Sequence, residues 1–230
     1  QEAVFEIQYS SVMAASWAHI NRSNGTYFPK FNGPRSPYDD PVYDAGWGFC
    51  LPSVEFYDMF DDGDARRDVT FHDLREEQDR YSQGRDDTGL FNKKYIPRKE
   101  PARAGSDPLN YNNNYRAIRY ADVLLMAAEA EAQSGGTDAE NYLNQVRARA
   151  YGDNSQNYTA SEGALLDAIY TERRKELAGE GHRFFDLVRT KKAAAAIDGF
   201  TENKNEIFPI PLIELELALA TERWGQNPGY

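Results

Sequence analysis

Hydrophobic patterning changes character near residue 115 of this 230-residue chain. From Arg116 onward apolar residues return with helical spacing. Ile118, Ala121, Leu124 or Leu125, Ala128 and Ala132 make one face, which Gly135-Gly136 ends. A second helix is expected from Thr137 or Asp138, both good N-caps, with Tyr142, Leu143, Val146 and Ala150 turned inward. So short a connection makes the two an antiparallel hairpin. Thr159-Ala160-Ser161-Glu162 has capping-box spacing and predicts the opening of a third helix, with Leu165, Leu166, Ile169, Tyr170, Arg173 and Leu177 on one side. Gly179 and Gly181 then supply the positive φ with which a chain leaves a helix, and Phe184, Leu187 and Val188 begin another. Leu212 to Ala220 reads as a last short helix. The prolines of Ile207-Phe208-Pro209-Ile210-Pro211 restrict that preceding segment to an extended, docking or capping role.

Residues 1–115 lack this regularity. Val4 to Tyr9 is briefly strand-like, and a short helix is predicted from Ser53 to about Phe60, with Pro52 near its start. Elsewhere proline, glycine, asparagine and aspartate interrupt almost every apolar run, while most of the aromatic residues lie here. So many aromatics argue against disorder and for ordered loops laid on a scaffold. The chain therefore divides into a loop-rich aromatic region facing a ligand or partner (1–115) and a helical-hairpin scaffold with a C-terminal docking segment (116–230).

Charge and composition narrow the function. The net charge of -11 is shared between the halves, which describes a solvated acidic surface and disfavours a nucleic-acid groove. A single cysteine, Cys50, between Phe49 and Leu51, reads as a small buried hydrophobe and leaves no internal disulfide. No apolar run approaches the roughly 18 residues of a membrane span. The start at Gln1, with neither methionine nor signal sequence, suggests a mature or trimmed product. The densest charge lies in Glu172 to Arg189. Glu172 with Lys175, Arg173 with Glu176, and Arg183 with Asp186 have the spacing to pair, and the corner reads as a structural lock rather than a catalytic site.

The order of motifs resembles the SusD/RagB-like outer-membrane nutrient-binding lipoproteins. The resemblance is carried by Arg119-Tyr120-Ala121-Asp122-Val123-Leu124-Leu125-Met126, Leu143-Asn144-Gln145-Val146-Arg147-Ala148-Arg149-Ala150 and Glu172-Arg173-Arg174-Lys175-Glu176-Leu177. It continues through Glu180-Gly181-His182-Arg183, Asp186-Leu187-Val188-Arg189, Phe208-Pro209-Ile210-Pro211 and Gln226-Asn227-Pro228-Gly229-Tyr230. Upstream, Leu51-Pro52-Ser53 and Gly63-Asp64-Ala65-Arg66-Arg67-Asp68 fit as well. Members are roughly twice as long and begin at a lipid-bearing cysteine, which Cys50 does not match, so the chain looks like a C-terminal half. The resemblance implies a mainly α fold with little β, in which tetratricopeptide-like hairpins support a loop-rich ligand face. It further implies a place on the extracellular face of the outer membrane beside a TonB-dependent transporter of the SusC/RagA kind. Its ligand would be an oligosaccharide or, in some branches, a peptide, with no catalysis and no cofactor. A structural interaction subunit without its own ligand is the competing reading.

A sugar offers flat CH faces rimmed by hydroxyls, so its binder needs aromatic platforms and a few directed polar groups. Trp17 with the neighbouring Asn21, then Tyr27, Tyr43 and Trp47, are the candidate ligand-binding residues. Asp58, Asp61, Asp62 and Asp64 lack the spacing of a calcium loop and read as a helix stop, and the three histidines show no paired zinc spacing, so no metal is expected. The neighbouring acids Asp39 and Asp40, or Glu176 and Glu180, have the residue type for a glycosidase, but a solvated acidic surface accounts for them without chemistry.

Overall fold

A computed structural model describes residues 2–18, 23–99, 104–105, 107–219 and 225–230. The fold is mainly α, with two small antiparallel ladders, and divides into compact units at 1–180 and 181–230. The change of sequence character at 115/116 falls within the first unit.

Three helices build the scaffold of that unit: α4 (Tyr120–Ser134), α5 (Ala139–Tyr151) and α6 (Leu165–Glu176). Gly135 ends α4 and Gly152 ends α5, both left-handed, at φ 77° and 81°. Leu125, Ala128, Leu143, Val146 and Ile169 are buried between the three, with Tyr142, Tyr158 and Leu165 packed around them. Each large side chain buried there contributes about 2 kcal/mol, and Ala128 keeps helices close. The hairpin and its inward residues follow the periodicity.

Two boundaries differ. The expected first helix begins later, because Tyr115–Arg119 forms β4 and pairs with β1 (Ala3–Ile7), setting Ile118 opposite Phe5. Arg119 is then the extended N-cap of α4. The capping box also forms elsewhere: Thr159 donates its amide to the Glu162 carboxylate (3.0 Å) on a separate 3₁₀ turn, Ala160–Glu162. Gly163 (φ 104°) ends that turn before α6 opens.

In the loop-rich part, β2 (Phe71–Asp73) pairs with β3 (Leu90–Asn92). Three residues are too few to show an alternation in sequence. Short helices α1 (Phe28–Phe31), α2 (Val54–Tyr57) and α3 (Arg66–Thr70) lie between the loops. Ser53 caps α2 through its hydroxyl, which accepts the Phe56 amide at 3.2 Å.

The charged corner is a buried network that ties α6 to the elements around it. Glu172 accepts from Arg66 (2.5 Å) and Arg147 (3.1 Å), and Arg173 meets Asp122 at 2.7 Å. Glu176 accepts from Arg119 (2.9 Å), Arg149 (2.5 Å) and Arg66 (3.2 Å). Glu180 holds both Arg119 and Lys94 at 2.7 Å. Asp64 grips Arg66 with both oxygens, at 2.8 and 2.7 Å, so the Gly-Asp-Ala-Arg motif joins the same network. Burial opposes ionisation of Glu176, yet Arg149, Arg119 and Lys94 outweigh it and hold the carboxyl at about 2. Burial likewise resists charge on Glu180, while Lys94 and Arg119 keep it below the usual carboxylate range.

In the second unit, α7 (Arg183–Arg189) is followed by α8 (Ala193–Ala196) and α9 (Leu212–Leu219). The chain's last residues hold the proline segment extended. Gln226 exchanges two hydrogen bonds with the Ile210 backbone (2.8 and 3.1 Å), Asn227 donates to Phe208 O (2.7 Å), and the Tyr230 hydroxyl donates to Ile207 O (2.9 Å).

Two outcomes are expected. A carboxyl held at about 2 in the fold against 4.5 ordinarily contributes about 3 kcal/mol, fully present above pH 4.5 and lost as pH falls towards 2. Urea unfolding followed across that window should show the decline. Glu176→Leu, which leaves three guanidiniums short of a partner, should destabilise the first unit by about 3–5 kcal/mol at neutral pH and flatten the acid dependence.

Candidate functional site

The corner reaches the loop region through two asparagines. Gly179, at φ 71°, presents its carbonyl to Asn92 Nδ2 (3.0 Å), and that amide also donates to Asn32 Oδ1 (3.1 Å). Asn32 in turn donates to Phe28 O at 2.9 Å and so fastens α1. A Cβ at Gly179 would lie 2.3 Å from the Asn92 nitrogen, and the backbone there is left-handed, so only glycine permits this junction.

The segment after α1 carries the rings that α1 orients. Trp47, Gly48 and Phe49 donate their amides to the carbonyls of Lys30 (2.6 Å), Gly33 (2.9 Å) and Phe31 (3.0 Å). Gly33 and Gly46 pass so closely that a Cβ on Gly46 would meet Gly33 Cα at 2.6 Å. With its backbone fixed, the Trp47 ring packs on Phe31 (centroids 5.3 Å) and Phe49 (6.2 Å).

Trp17 arrives on a different loop, anchored by the fully buried Asn110. Asn110 Nδ2 lies 2.9, 3.0 and 2.7 Å from the carbonyls of Ser11, Met13 and Ala104, and its Oδ1 accepts from Ser23 at 2.9 Å. Ala15 bridges to Gly105, where a Cβ would come within 2.3 Å of Ala15 O. So held, Trp17 stands 6.2 Å from Trp47 with the planes tilted by 34°.

Trp17, Trp47, Phe31 and Phe49 thereby form one shelf, which Tyr27 extends through an edge contact with Phe31 at 5.7 Å. Trp17 is 63% exposed and Phe49 66%, whereas Trp47 is half-buried. Large rings left in water side by side on a fixed backbone make this shelf the candidate binding surface.

Of the candidate residues, Trp17, Tyr27 and Trp47 converge. Tyr43 does not: its ring lies 4.8 Å from His72 and packs on the buried cluster of Leu74, Tyr81, Phe91 and Ile96. Burial pushes His72 below its usual value, and its Nε2 pairs with the Tyr38 hydroxyl at 2.7 Å, which makes this a structural knot. Asn21 lies outside the described residues. Cys50 is exposed, not buried, because Phe49 beside it turns to the shelf. Phe31, Phe49 and the clamp Asn110 were not anticipated. Only the density of aromatics hinted at the first two, and nothing local marks Asn110.

The candidate acids are engaged in structure. Glu176 and Glu180 belong to the buried network, Asp39 meets Lys99 at 3.0 Å, and the Asp40 carboxylate accepts the Val42 and Tyr43 amides at 2.8 and 2.9 Å. Asp61 accepts from the Tyr151 hydroxyl at 2.8 Å.

A helical scaffold that presents a fixed aromatic shelf to solvent has the build of a binding protein. The family model described as the SusD family matches residues 74–210, and the chain belongs to that family. The SusD-like protein P2 of Formosa agariphila is 32% identical over 211 residues, covering 82% of this chain and 41% of the relative. The chain thus spans about two fifths of that relative's length. Among solved structures, surface glycan-binding protein A from Bacteroides fluxus matches with a TM-score of 0.86 and 36% identity, over 100% of this chain and 51% of the other. A laminarin-binding SusD-like protein matches at 0.83 and 40%, over 100% and 50%. Surface glycan-binding protein A from Bacteroides thetaiotaomicron, in complex with laminarihexaose, matches at 0.84 and 32%, over 98% and 52%. The reading as a binding protein rather than an enzyme rests on these relatives.

Asn110→Leu tests the clamp. It removes the amide that gathers the part-buried carbonyls of Ser11, Met13 and Ala104 and the Ser23 hydroxyl, so a loss of about 1–3 kcal/mol is expected, with faster proteolysis between residues 11 and 25 than elsewhere. Limited proteolysis with mass spectrometry reads this directly.

Proposed function

We propose that the chain is the glycan-contacting part of a cell-surface nutrient-binding protein, which passes an oligosaccharide to a TonB-dependent outer-membrane transporter. The observation that carries this is the exposed Trp17 set beside Trp47 on the shelf. Pyranose rings stack their CH faces on aromatic planes, and the tilts of 34° to 58° among these rings suit a chain that curves rather than lies flat. A β-1,3-glucan of the laminarin type curves in this way, and the names of two structural relatives record laminarin and laminarihexaose. Among the described residues no helix is long and apolar enough to cross a membrane. Attachment to the outer membrane through a lipid anchor is what the family resemblance implies.

Titration calorimetry with laminarihexaose tests the reading. Trp17→Ala should weaken binding about tenfold without shifting the melting temperature, because the ring is exposed, and Trp47→Ala should weaken it as much and also destabilise. Peptide binding in place of glycan binding would refute the ligand class. A Trp17→Ala variant that loses the transporter but keeps the glycan would make the shelf a protein interface.

A further inference from the structure

Beside the shelf lies a cavity of about 330 Å³, lined by Tyr9, Tyr27, Phe28, Phe31, Thr26 and Asn113, together with Gly25 and Tyr115. That volume is at the lower end of ligand pockets, which start at roughly 300 Å³. It suits one ring of a sugar and not a whole oligosaccharide. The walls are aromatic, and they are held by each other: Phe28 makes edge contacts with Phe31 (6.4 Å), Tyr115 (6.1 Å) and Tyr95 (5.1 Å). The Tyr115 hydroxyl is engaged with Glu180 O (2.9 Å), which ties the back wall to the buried charge network.

Two polar groups interrupt this apolar lining. Thr26 Oγ1 accepts the Phe28 amide at 3.1 Å, an arrangement that leaves the hydroxyl proton for another acceptor. Asn113 contributes to the wall, and its buried Oδ1 has no hydrogen-bond partner. That oxygen is closed to water, so contact with a sugar hydroxyl falls to the remainder of the Asn113 side chain, which lines the cavity. Tyr9 stands at the edge, where it also lines a neighbouring polar groove with Gln8, Ser10, Ser23 and Asn24. Phe31 and Tyr27 belong to shelf and cavity alike.

We infer that this cavity is a second subsite, which takes one neutral pyranose unit of the glycan that lies on the shelf, with Tyr9 and Tyr27 against its CH faces and Asn113 and Thr26 toward its hydroxyls. The inference rests on the glycan reading of the shelf. It adds that affinity depends on chain length, since a short ligand occupies one subsite and a longer one both.

Titrations with laminaritriose and laminarihexaose separate the two. In the wild-type chain hexaose should bind more tightly than triose. Asn113→Leu and Tyr9→Ala should each weaken hexaose about fivefold and narrow that gap, with Tyr9→Phe retaining most of the affinity as a folding control. Hexaose affinity unchanged in both cavity variants but lowered by Trp17→Ala would overturn the subsite and leave the shelf standing. Loss in the cavity variants with Trp17→Ala unaffected would refute the shelf and, with it, a subsite that shares the shelf's glycan. Absence of binding by the wild-type chain to either sugar would overturn both.

Discussion

Carboxylates withdrawn from water survive as anions only if cations surround them, and the first unit is organised by that requirement. Glu172, Glu176 and Glu180 lie along one edge of α6 and its exit, and each meets guanidinium or ammonium groups drawn from well-separated parts of the chain. Arg66 comes from α3, Lys94 from the turn after β3, Arg119 from the junction of β4 with α4, and Arg147 and Arg149 from α5. A hydrophobic core of similar size would hold the helices together as well, but it would not specify which loop docks where. The directional, two-sided contacts of arginine do so. Retaining charge here at some expense in stability is consistent with a scaffold whose task is to fix loops.

The consequence is carried outward by short steps. Gly179 turns the chain at the end of α6 and offers its carbonyl to Asn92, Asn92 reaches Asn32, and Asn32 closes α1. On α1 sits Phe31, the ring shared by Trp47, Phe49 and Tyr27. Asn110 does the equivalent for the loop of Trp17. Rings that are pre-positioned lose little freedom on binding, which is what the proposed role of an open shelf for a weakly hydrophobic ligand such as a sugar requires.

Helices α4 and α5 were legible in the sequence because their buried residues repeat at helical spacing and glycines stand at their ends. The strand before α4 was not, since Ile118 fits a helical face and a two-stranded ribbon equally, and only the partner β1 decides between them. Thr159 to Glu162 gave the chemistry of a cap correctly but not the element it caps, because Gly163 intervenes. Local charge spacing in Glu172 to Glu176 suggested a helix tied to itself, whereas burial of that face recruits distant arginines. At the site, Trp17 could be named as an aromatic among polar residues and Trp47 as one in a glycine-rich turn, but their meeting depends on Asn110 and the Gly33–Gly46 crossing, neither of which leaves a pattern. Tyr43 had the same composition around it and was drawn into the core by His72.

The most direct measurement is tryptophan fluorescence during titration with laminarihexaose. Trp17 is largely in water in the free chain, so a sugar stacked upon it should produce a saturable shift of the emission to shorter wavelength, much reduced by Trp17→Phe, which leaves only the half-buried Trp47 of the shelf to report. An emission spectrum unchanged at saturating sugar, in a chain whose unfolding transition is intact, would contradict the central claim that this shelf is where the glycan is held.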